Sequence, residues 1–94
     1  MPFDTEEEAV AIANDTAYGL TNYVQTADGS RARRVARRLR TGQVFINGAD
    51  FDVNAPAGGY KQSGIGRENG TQAVEYYTQI KTIYTNLGDV PKTY

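Results

Sequence analysis

The chain has 94 residues, no cysteine and no histidine, and its 10 basic and 11 acidic residues leave a formal net charge of −1. This length corresponds to one small domain with a thin core. The lack of cysteine excludes disulfides, thiolate metal sites and a cysteine nucleophile, and the lack of histidine removes the commonest general base and metal ligand. A nearly neutral chain without a long apolar run or a signal-peptide pattern predicts a cytoplasmic protein that neither spans a membrane nor binds nucleic acid.

A helix and a strand are predicted first. The helix spans 5–14, because Thr5 and Glu8 have the spacing of a capping box and the glutamates at 6–8 suit the positive end of the helix dipole. Metal binding or acid–base chemistry is the alternative interpretation of these glutamates, and a helix start is favoured. The strand follows at 20–26, where alternating residues include β-branched and aromatic side chains.

The second helix, predicted at 31–40, carries six arginines beside one apolar stripe. The stripe has helical spacing and comprises Ala32, Val35, Ala36 and Leu39. A solvated face is favoured over a nucleic-acid or acidic-membrane surface, because no aromatic residue interleaves the arginines and the chain is not basic. An apolar run at 43–47, bounded by glycines, predicts a buried strand. Strand, helix and strand with short connections predict a βαβ unit with parallel strands.

A loop, a third helix and a last strand are predicted in the remainder. Residues 48–55 show no helical period and indicate a polar loop, in which Asp50 and Asp52 are a weaker candidate pair of catalytic acids. A helix is predicted at 67–77. The strand predicted at 79–87 has two mixed faces, so it needs a partner edge.

Five of the ten glycines lie at 56–70, which we call the glycine-rich stretch. A Walker loop requires lysine where this chain has Ile65, and a dinucleotide fingerprint requires glycine where it has Asn69. Neither phosphate-binding pattern is met. The stretch therefore predicts a structural loop that leads into a helix, and its structural residues are Gly58, Gly59, Ser63, Gly64 and Gly66.

Several separated runs of the chain resemble the NAD(P)-dependent aldehyde dehydrogenase family. They are Phe3–Val10, Ala13–Asn14, Tyr18–Leu20, Gly42–Asn47 and Glu75–Ile83. The strongest resemblance lies in the glycine-rich stretch, which is similar to the family's Pro-Phe-Gly-Gly-x-Lys-x-Ser-Gly-x-Gly-Arg-Glu pattern near its C-terminus. Because the motifs occur in order over nearly the whole chain, the sequence is identified as a C-terminal fragment of a member of this family.

The resemblance implies an α/β fold that is part of a catalytic domain: a βαβ unit with flanking helices and a C-terminal arm strand. Residues 1–78 would form the catalytic-domain segment. Residues 79–94 would form an oligomerisation strand and tail, through which the chain would join a homo-oligomer. The loop before the glycine-rich stretch would lie near the mouth of the substrate tunnel, with Phe51 in its wall. The family usually has phenylalanine where this chain has Ala57, a departure that would widen the tunnel.

The activity implied by the resemblance belongs to the intact enzyme. The family oxidises aldehydes to carboxylic acids with NAD or NADP, through a cysteine nucleophile that this chain lacks. Its catalytic glutamate, oxyanion-hole asparagine and cofactor-binding residues lie upstream of the matched region, so no catalytic, cofactor or metal residue is assigned here. We expect the chain alone to be inactive and to hold no cofactor. An oligomerisation or interaction module that acts by strand addition is the alternative.

Overall fold

The computed structural model describes residues 1–89 of the chain. Helices and short strands are mixed along it, as in other α/β chains. In chain order the elements are α1 (Glu6–Asn14), β1 (Tyr18–Gly19), β2 (Thr21–Val24), α2 (Gly29–Arg38), β3 (Gln43–Ile46), β4 (Tyr60–Lys61) and a 3₁₀ helix (Thr71–Tyr77). No helix in the described part of the chain is long and apolar enough to cross a bilayer.

The first helix begins at a reciprocal side-chain cap. The Thr5 hydroxyl accepts a hydrogen bond from the Glu8 backbone N–H at 3.1 Å. The Glu8 carboxylate in turn accepts one from the Asp4 backbone N–H at 3.0 Å. The cap predicted from the Thr5 and Glu8 spacing is therefore confirmed.

The second helix begins at Asp28. The Asp28 carboxylate accepts hydrogen bonds from the backbone N–H groups of Ser30 and Arg31 at 2.9 and 3.1 Å. These bonds hold the pKa of Asp28 below its ordinary value. Because Asp28 is the N-cap, α2 starts at Gly29, before the predicted start at residue 31.

The strands β2 and β3 form a parallel pair joined by α2, which confirms the predicted βαβ unit. Their register sets Thr21 opposite Gln43 and continues to the end of both strands. The rings of Tyr23 and Phe45 stack across the pair, with centroids 5.7 Å apart. Each strand is shorter than the sequence predicted at 20–26 and 43–47.

The core is small, as the chain length predicts. Its buried apolar side chains are Val10 of α1, Ala32 of α2 and Leu39 directly after α2. Each stabilises the fold by about 1–3 kcal/mol at most, depending on its size. Packing between the two helices and β2 alone therefore gives only modest stability.

An ion-pair cluster joins the two helices at the surface. The Glu6 carboxylate accepts two hydrogen bonds from the Arg34 guanidinium, both at 2.8 Å. Arg31 and Arg38 lie 3.7 Å from the same carboxylate. The Arg34 hydrogen bonds lower the pKa of Glu6, and Glu6 raises the pKa of Arg34. The arginine face of α2 is thus partly an intramolecular surface.

A second, two-stranded sheet was not predicted. The strands β1 and β4 pair antiparallel, with Tyr18 opposite Lys61 and Gly19 opposite Tyr60. This pairing brings the glycine-rich stretch back to the end of α1.

The helix predicted at 67–77 is wrong in its start and its type, because the structure has a 3₁₀ helix at Thr71–Tyr77. Gly66, Asn69 and Gly70 have φ values of 95°, 60° and 67°. Such left-handed conformations cannot belong to a right-handed α-helix. The helix can therefore begin only after Gly70, and none of its side chains is buried.

The residues of the predicted last strand, 79–87, form no ladder with any other residue of 1–89. Ile80 is 99% exposed and Tyr84 is 93% exposed. The partner edge that the sequence requires is therefore not supplied by the described chain. The predicted tail extends to residues 90–94, which lie outside the described residues.

Candidate functional site

The glycine-rich stretch packs backbone against backbone. A Cβ added at Gly42 would overlap the carbonyl oxygen of Gly58, and one added at Gly58 would overlap the carbonyl oxygen of Gly66. A Cβ at Gly59 would lie 2.5 Å from the Cβ of Ser63. Only glycine permits such close approach without displacement of the backbone. Gly58 and Gly59 therefore allow dense packing and leave no space for a ligand at this point.

The other two glycines predicted as structural are set by backbone conformation. Gly64 has φ 110° and Gly66 has φ 95°, in the left-handed region that favours glycine. A Cβ at Gly64 would meet no atom within 4 Å, whereas one at Gly66 would lie 3.6 Å from the Tyr76 ring. There is thus room for a side chain at position 64, but the positive φ of Gly64 disfavours any residue other than glycine.

Two polar side chains fasten the glycine-rich stretch to the first third of the chain. The Ser63 hydroxyl accepts a hydrogen bond from the Gly19 backbone N–H at 2.8 Å. The Lys61 ammonium donates to the carbonyl oxygens of Asn14 and Thr16 at 3.0 and 3.2 Å. A cation at the end of α1 satisfies carbonyl groups there and complements the negative end of the helix dipole.

Arg67 fastens the glycine-rich stretch to itself. Its guanidinium donates to the carbonyl oxygens of Gly59 and Gly66 at 3.1 and 2.7 Å. The same group lies 5.5 Å from the centre of the Tyr60 ring, in a cation–π arrangement. The sequence-based prediction missed both Lys61 and Arg67. The available signal was the presence of two cations in a turn whose carbonyl groups need donors.

These contacts do not fit the phosphates of a dinucleotide. Gly64 and Gly66 lead to an antiparallel bridge between Ala57 and Glu68 rather than to a helix N-terminus. The Arg67 guanidinium already donates to backbone carbonyls. A dinucleotide site needs a glycine turn that opens directly into a helix after a strand. The described residues therefore carry no such site.

An open groove of about 280 Å³ lies between β3 and the loop that follows it. Phe51 lines this groove and is 52% exposed. Ala57 lies beyond it, where its backbone N–H and carbonyl exchange two 2.7 Å hydrogen bonds with Glu68. The structure thus places the two predicted tunnel residues on the same loop, with Phe51 at the groove and Ala57 in the adjoining bridge.

The two acids that the sequence offers as a weaker candidate pair lie in this loop. Asp50 and Asp52 both line the groove, and one Asp52 carboxylate oxygen accepts the Asn54 backbone N–H at 2.8 Å. Across residues 1–89, no group of three or more acidic side chains is arranged to hold a metal ion. The polar-loop interpretation therefore accounts for the observed contact of Asp52.

Comparison with known proteins identifies the family. The model of the aldehyde dehydrogenase family matches residues 1–83. The chain belongs to the aldehyde dehydrogenase family. Among its curated relatives, the 4-trimethylaminobutyraldehyde dehydrogenase A of Danio rerio is 52% identical over 91 residues, which are 96% of this chain and 18% of that protein. A betaine aldehyde dehydrogenase of Cereibacter sphaeroides is 50% identical over 95 residues, which cover 100% of this chain and 20% of that protein.

Solved aldehyde dehydrogenases share the fold of the chain. The NAD⁺ complex of the Bacillus cereus aldehyde dehydrogenase superposes with a TM-score of 0.88 at 43% identity, covering 94% of this chain and 18% of that one. The Mycobacterium tuberculosis aldehyde dehydrogenase in complex with NAD⁺ superposes with a TM-score of 0.87 at 47% identity, and the match covers 97% of this chain and 19% of that one. The chain thus spans about a fifth of the length of the relatives that it matches. The predicted family and the predicted partial α/β domain are confirmed.

Proposed function

We propose that the chain is a segment of the catalytic domain of an aldehyde dehydrogenase that oxidises an aldehyde to a carboxylic acid with NAD or NADP. The family match over residues 1–83 carries this proposal. The TM-score of 0.88 to the Bacillus cereus enzyme supports it. In the whole enzyme, residues 1–78 would belong to the catalytic-domain layer and residues 79–94 to an oligomerisation strand and tail. A cytoplasmic location stays a prediction.

Within that enzyme the role of the segment is structural. Its cations Lys61 and Arg67 donate to backbone carbonyls, and the Ser63 hydroxyl accepts a backbone N–H. These groups hold the glycine-rich stretch in its turn and against the end of α1 and β1. The 94 residues include no cysteine, so they cannot supply the thiolate that attacks the aldehyde. We therefore expect the chain alone to be inactive, and the absence of a cofactor stays a prediction.

Two measurements test this proposal. The purified chain is mixed with an aldehyde and NAD⁺ or NADP⁺, and reduced cofactor is followed by absorbance. We expect no formation above the uncatalysed rate, and steady turnover would contradict inactivity. In parallel, the matched segment of the Cereibacter sphaeroides relative is replaced by this chain. We expect the chimera to oxidise betaine aldehyde, the substrate for which that relative is named. An inactive but folded chimera would contradict the assignment to a catalytic domain.

Phe51 is our candidate for a wall of the substrate tunnel. Its ring lines the groove beside β3 and is half exposed, so a substrate could contact it. In the chimera, Phe51→Ala should raise the KM for the aldehyde while leaving the fold intact, because an apolar contact is lost. Val53→Ala is the matched control on the same loop, since Val53 does not line the groove. Equal effects of the two substitutions would contradict the tunnel role.

Strand addition through residues 79–87 is a second candidate function, which one observation favours. Ile80, Ile83, Tyr84 and Leu87 are strongly exposed and form no ladder within the described chain. Such a segment acquires backbone partners by joining another sheet edge. Light scattering over a range of concentrations should show a homo-oligomer. A monomer at every concentration would contradict self-association.

A further inference from the structure

The chain contains two Asn-Gly pairs, Asn47–Gly48 and Asn69–Gly70. Both pairs lie in left-handed turns, with φ values of 52° and 72° in the first pair and 60° and 67° in the second. Because glycine has no side chain, its backbone nitrogen is unusually free to approach the side-chain carbonyl carbon of the asparagine before it. The same dipeptide in two similar backbone conformations therefore provides a comparison within one molecule.

The side chain of Asn47 is held away from such an approach. Its Nδ2 donates to the carbonyl oxygen of Thr26 at 3.0 Å, and its Oδ1 accepts the backbone N–H of Thr26 at 2.9 Å. An attack on Cγ of Asn47 requires the amide to leave Thr26 and lose both hydrogen bonds. The loss of two hydrogen bonds should slow this reaction by about tenfold or more.

The side chain of Asn69 has no such restraint. It is exposed, and within residues 1–89 its amide makes no hydrogen bond, since the nearby side-chain bonds come from Arg67 and Thr71. The Gly70 backbone N–H donates to the carbonyl oxygen of Val53 at 3.4 Å. This distance is longer than that of an ordinary N–H···O bond, so the interaction is weak. Both reacting groups of this pair are therefore accessible to each other.

We propose that Asn69–Gly70 is a site of spontaneous deamidation in the folded chain and that Asn47–Gly48 is protected from it. The Gly70 nitrogen attacks Cγ of Asn69 and loses its proton, while the bond from Cγ to Nδ2 breaks and ammonia leaves with that proton. Water then opens the resulting succinimide ring. Hydrolysis at the side-chain carbonyl gives aspartate at position 69, and hydrolysis at the main-chain carbonyl gives isoaspartate. The reaction needs no other part of an aldehyde dehydrogenase.

The two products differ in what they do to the adjoining bridge. Aspartate keeps the length of the backbone and tolerates a positive φ as asparagine does. Isoaspartate adds one methylene group to the backbone directly after Glu68, which exchanges two 2.7 Å hydrogen bonds with Ala57. The backbone at Gly70 has little room, because an added Cβ would lie 2.9 Å from the Asn54 carbonyl oxygen. Isoaspartate should therefore open the bridge between Ala57 and Glu68.

The first test follows both pairs in the folded 94-residue chain at physiological temperature and mildly alkaline pH. Cleavage after lysine and arginine places Asn47 in peptide 41–61 and Asn69 in peptide 68–81. Mass spectrometry detects the replacement of NH₂ by OH, and electron-transfer fragmentation assigns the residue and distinguishes isoaspartate from aspartate. We expect Asn69 to react faster than Asn47 by about tenfold or more. Equal rates at the two pairs, or a faster reaction at Asn47, would overturn the proposal.

The same measurement on the chain unfolded in guanidinium chloride is the matched control. Unfolding removes the contacts of Asn47 with Thr26, so the two pairs should then react at similar rates. A preference for Asn69 that persists in denaturant would show that local sequence causes it, and would also overturn the proposal. Asn69→Gln should abolish the rapid change of mass in peptide 68–81, because the ring that glutamine must form is larger. An unchanged rate in this variant would place the reaction at another residue.

The second test measures the bridge. The isoaspartate form is separated from the aspartate form by chromatography, and hydrogen exchange is followed at the amides of Ala57 and Glu68. We expect these amides to exchange about tenfold faster in the isoaspartate form than in the parent chain. Asn69→Asp is the control, since it adds the same charge without the methylene group, and it should exchange as the parent chain does. Equal exchange in the isoaspartate form and the Asn69→Asp chain would contradict the opening of the bridge.

Discussion

Residues 6–70 and residues 71–89 differ in where their partners lie. In the first region, strand ladders, helix caps and ion pairs connect residues of the same chain. In the second, a seven-residue 3₁₀ helix has no buried side chain, and Tyr77 and Ile80 are 88% and 99% exposed. Both regions contain apolar and aromatic residues. Apolar composition alone therefore does not give a segment regular, packed structure. The segment also needs partners for its backbone hydrogen bonds.

The dimensions of the chain show the same contrast. Its Cα radius of gyration is 21.9 Å, whereas a compact domain of this length has a radius of about 12 Å. Its longest dimension is 78 Å against 25 and 22 Å for the others. A chain this extended has surfaces that need a partner. This agrees with the match, which spans about a fifth of the length of its relatives.

Within the first region, glycine contacts add to the order that the small core provides. Three apolar side chains are buried, while Gly42, Gly58 and Gly66 bring distant backbones into direct contact. At Gly42 and Gly58 these contacts leave no room for an added Cβ atom, so we expect both positions to be more sensitive to substitution than the core.

The largest effect should come from Gly42→Ala. The added methyl group would overlap the Gly58 carbonyl, and a backbone atom cannot rotate away as a side chain can. We expect a loss of about 3 kcal/mol in the free energy of unfolding, enough to unfold much of the first region. Urea denaturation followed by circular dichroism measures the loss.

Gly29→Ala is the control for this substitution. Gly29 is the first residue of α2, and a Cβ there would meet no atom within 4 Å. Its stability should stay constant or rise slightly, by up to about 1 kcal/mol, because alanine favours helix. A Gly42→Ala chain as stable as Gly29→Ala would show that the backbone contact at Gly42 does not hold the first region together.

The parts of this region that could be predicted from sequence rest on local signals. The cap of α1 is recognisable because Thr5 and Glu8 lie three residues apart. The βαβ unit is recognisable from the order of neighbouring elements. The contacts of Lys61 with Asn14 and Thr16 bridge more than forty residues. The two cations in a carbonyl-rich turn indicate that donors are needed there, but no local pattern identifies acceptors at such a separation.

The errors of the sequence-based prediction lie at the junction of the two regions. The apolar residues at 67–77 have helical spacing and so predict a helix, but Asn69 and Gly70 have positive φ values. Those φ values depend on the conformation of the whole turn and not on the spacing of apolar residues. The strand at 79–87 lacks a partner in the described chain, so no pattern within it could identify its pairing. The tunnel roles of Phe51 and Ala57 stay predictions, because the rest of the tunnel is made by other residues.

A smaller effect should follow from Ser63→Ala. This change leaves the Gly19 backbone N–H, which is partly buried, without its acceptor. The free energy of unfolding should fall by about 1–2 kcal/mol. Ser30→Ala is the matched control, because the exposed Ser30 takes part in the α2 cap through its backbone N–H. Equal stability of the two variants would contradict a role of Ser63 in joining β1 to the glycine-rich stretch.

Acid should weaken the first region through Glu6 and Asp28. Both carboxyls have a lowered pKa in the folded chain, Glu6 through the Arg34 hydrogen bonds and Asp28 through backbone N–H groups of α2. The unfolded chain then binds more protons, so stability rises with pH. The two carboxylates contribute fully to stability above their ordinary pKa values of 4.5 for Glu6 and 3.8 for Asp28. This contribution is lost as the pH falls through their lowered pKa values in the folded chain.

Urea midpoints measured from neutral pH down to about pH 3 show this loss. Glu6→Gln should make the dependence on pH shallower, since one of the two carboxyls is removed. Glu75→Gln, which removes a carboxylate from the second region, should leave the dependence unchanged. A parent chain whose midpoint does not fall in acid would contradict the contribution of these caps and ion pairs.

The smallest effect on folding is expected for Ile80→Lys. Ile80 is 99% exposed, so the change should shift the free energy of unfolding by no more than about 0.5 kcal/mol. The same lysine would place a charge in any interface that 79–87 forms with another subunit, so light scattering should show a lower oligomer fraction. Glu75→Lys is the control, because it adds positive charge outside this segment. If Ile80→Lys instead lowers the urea midpoint and leaves association unchanged, Ile80 contacts residues of its own chain, and the contrast between the two regions is wrong.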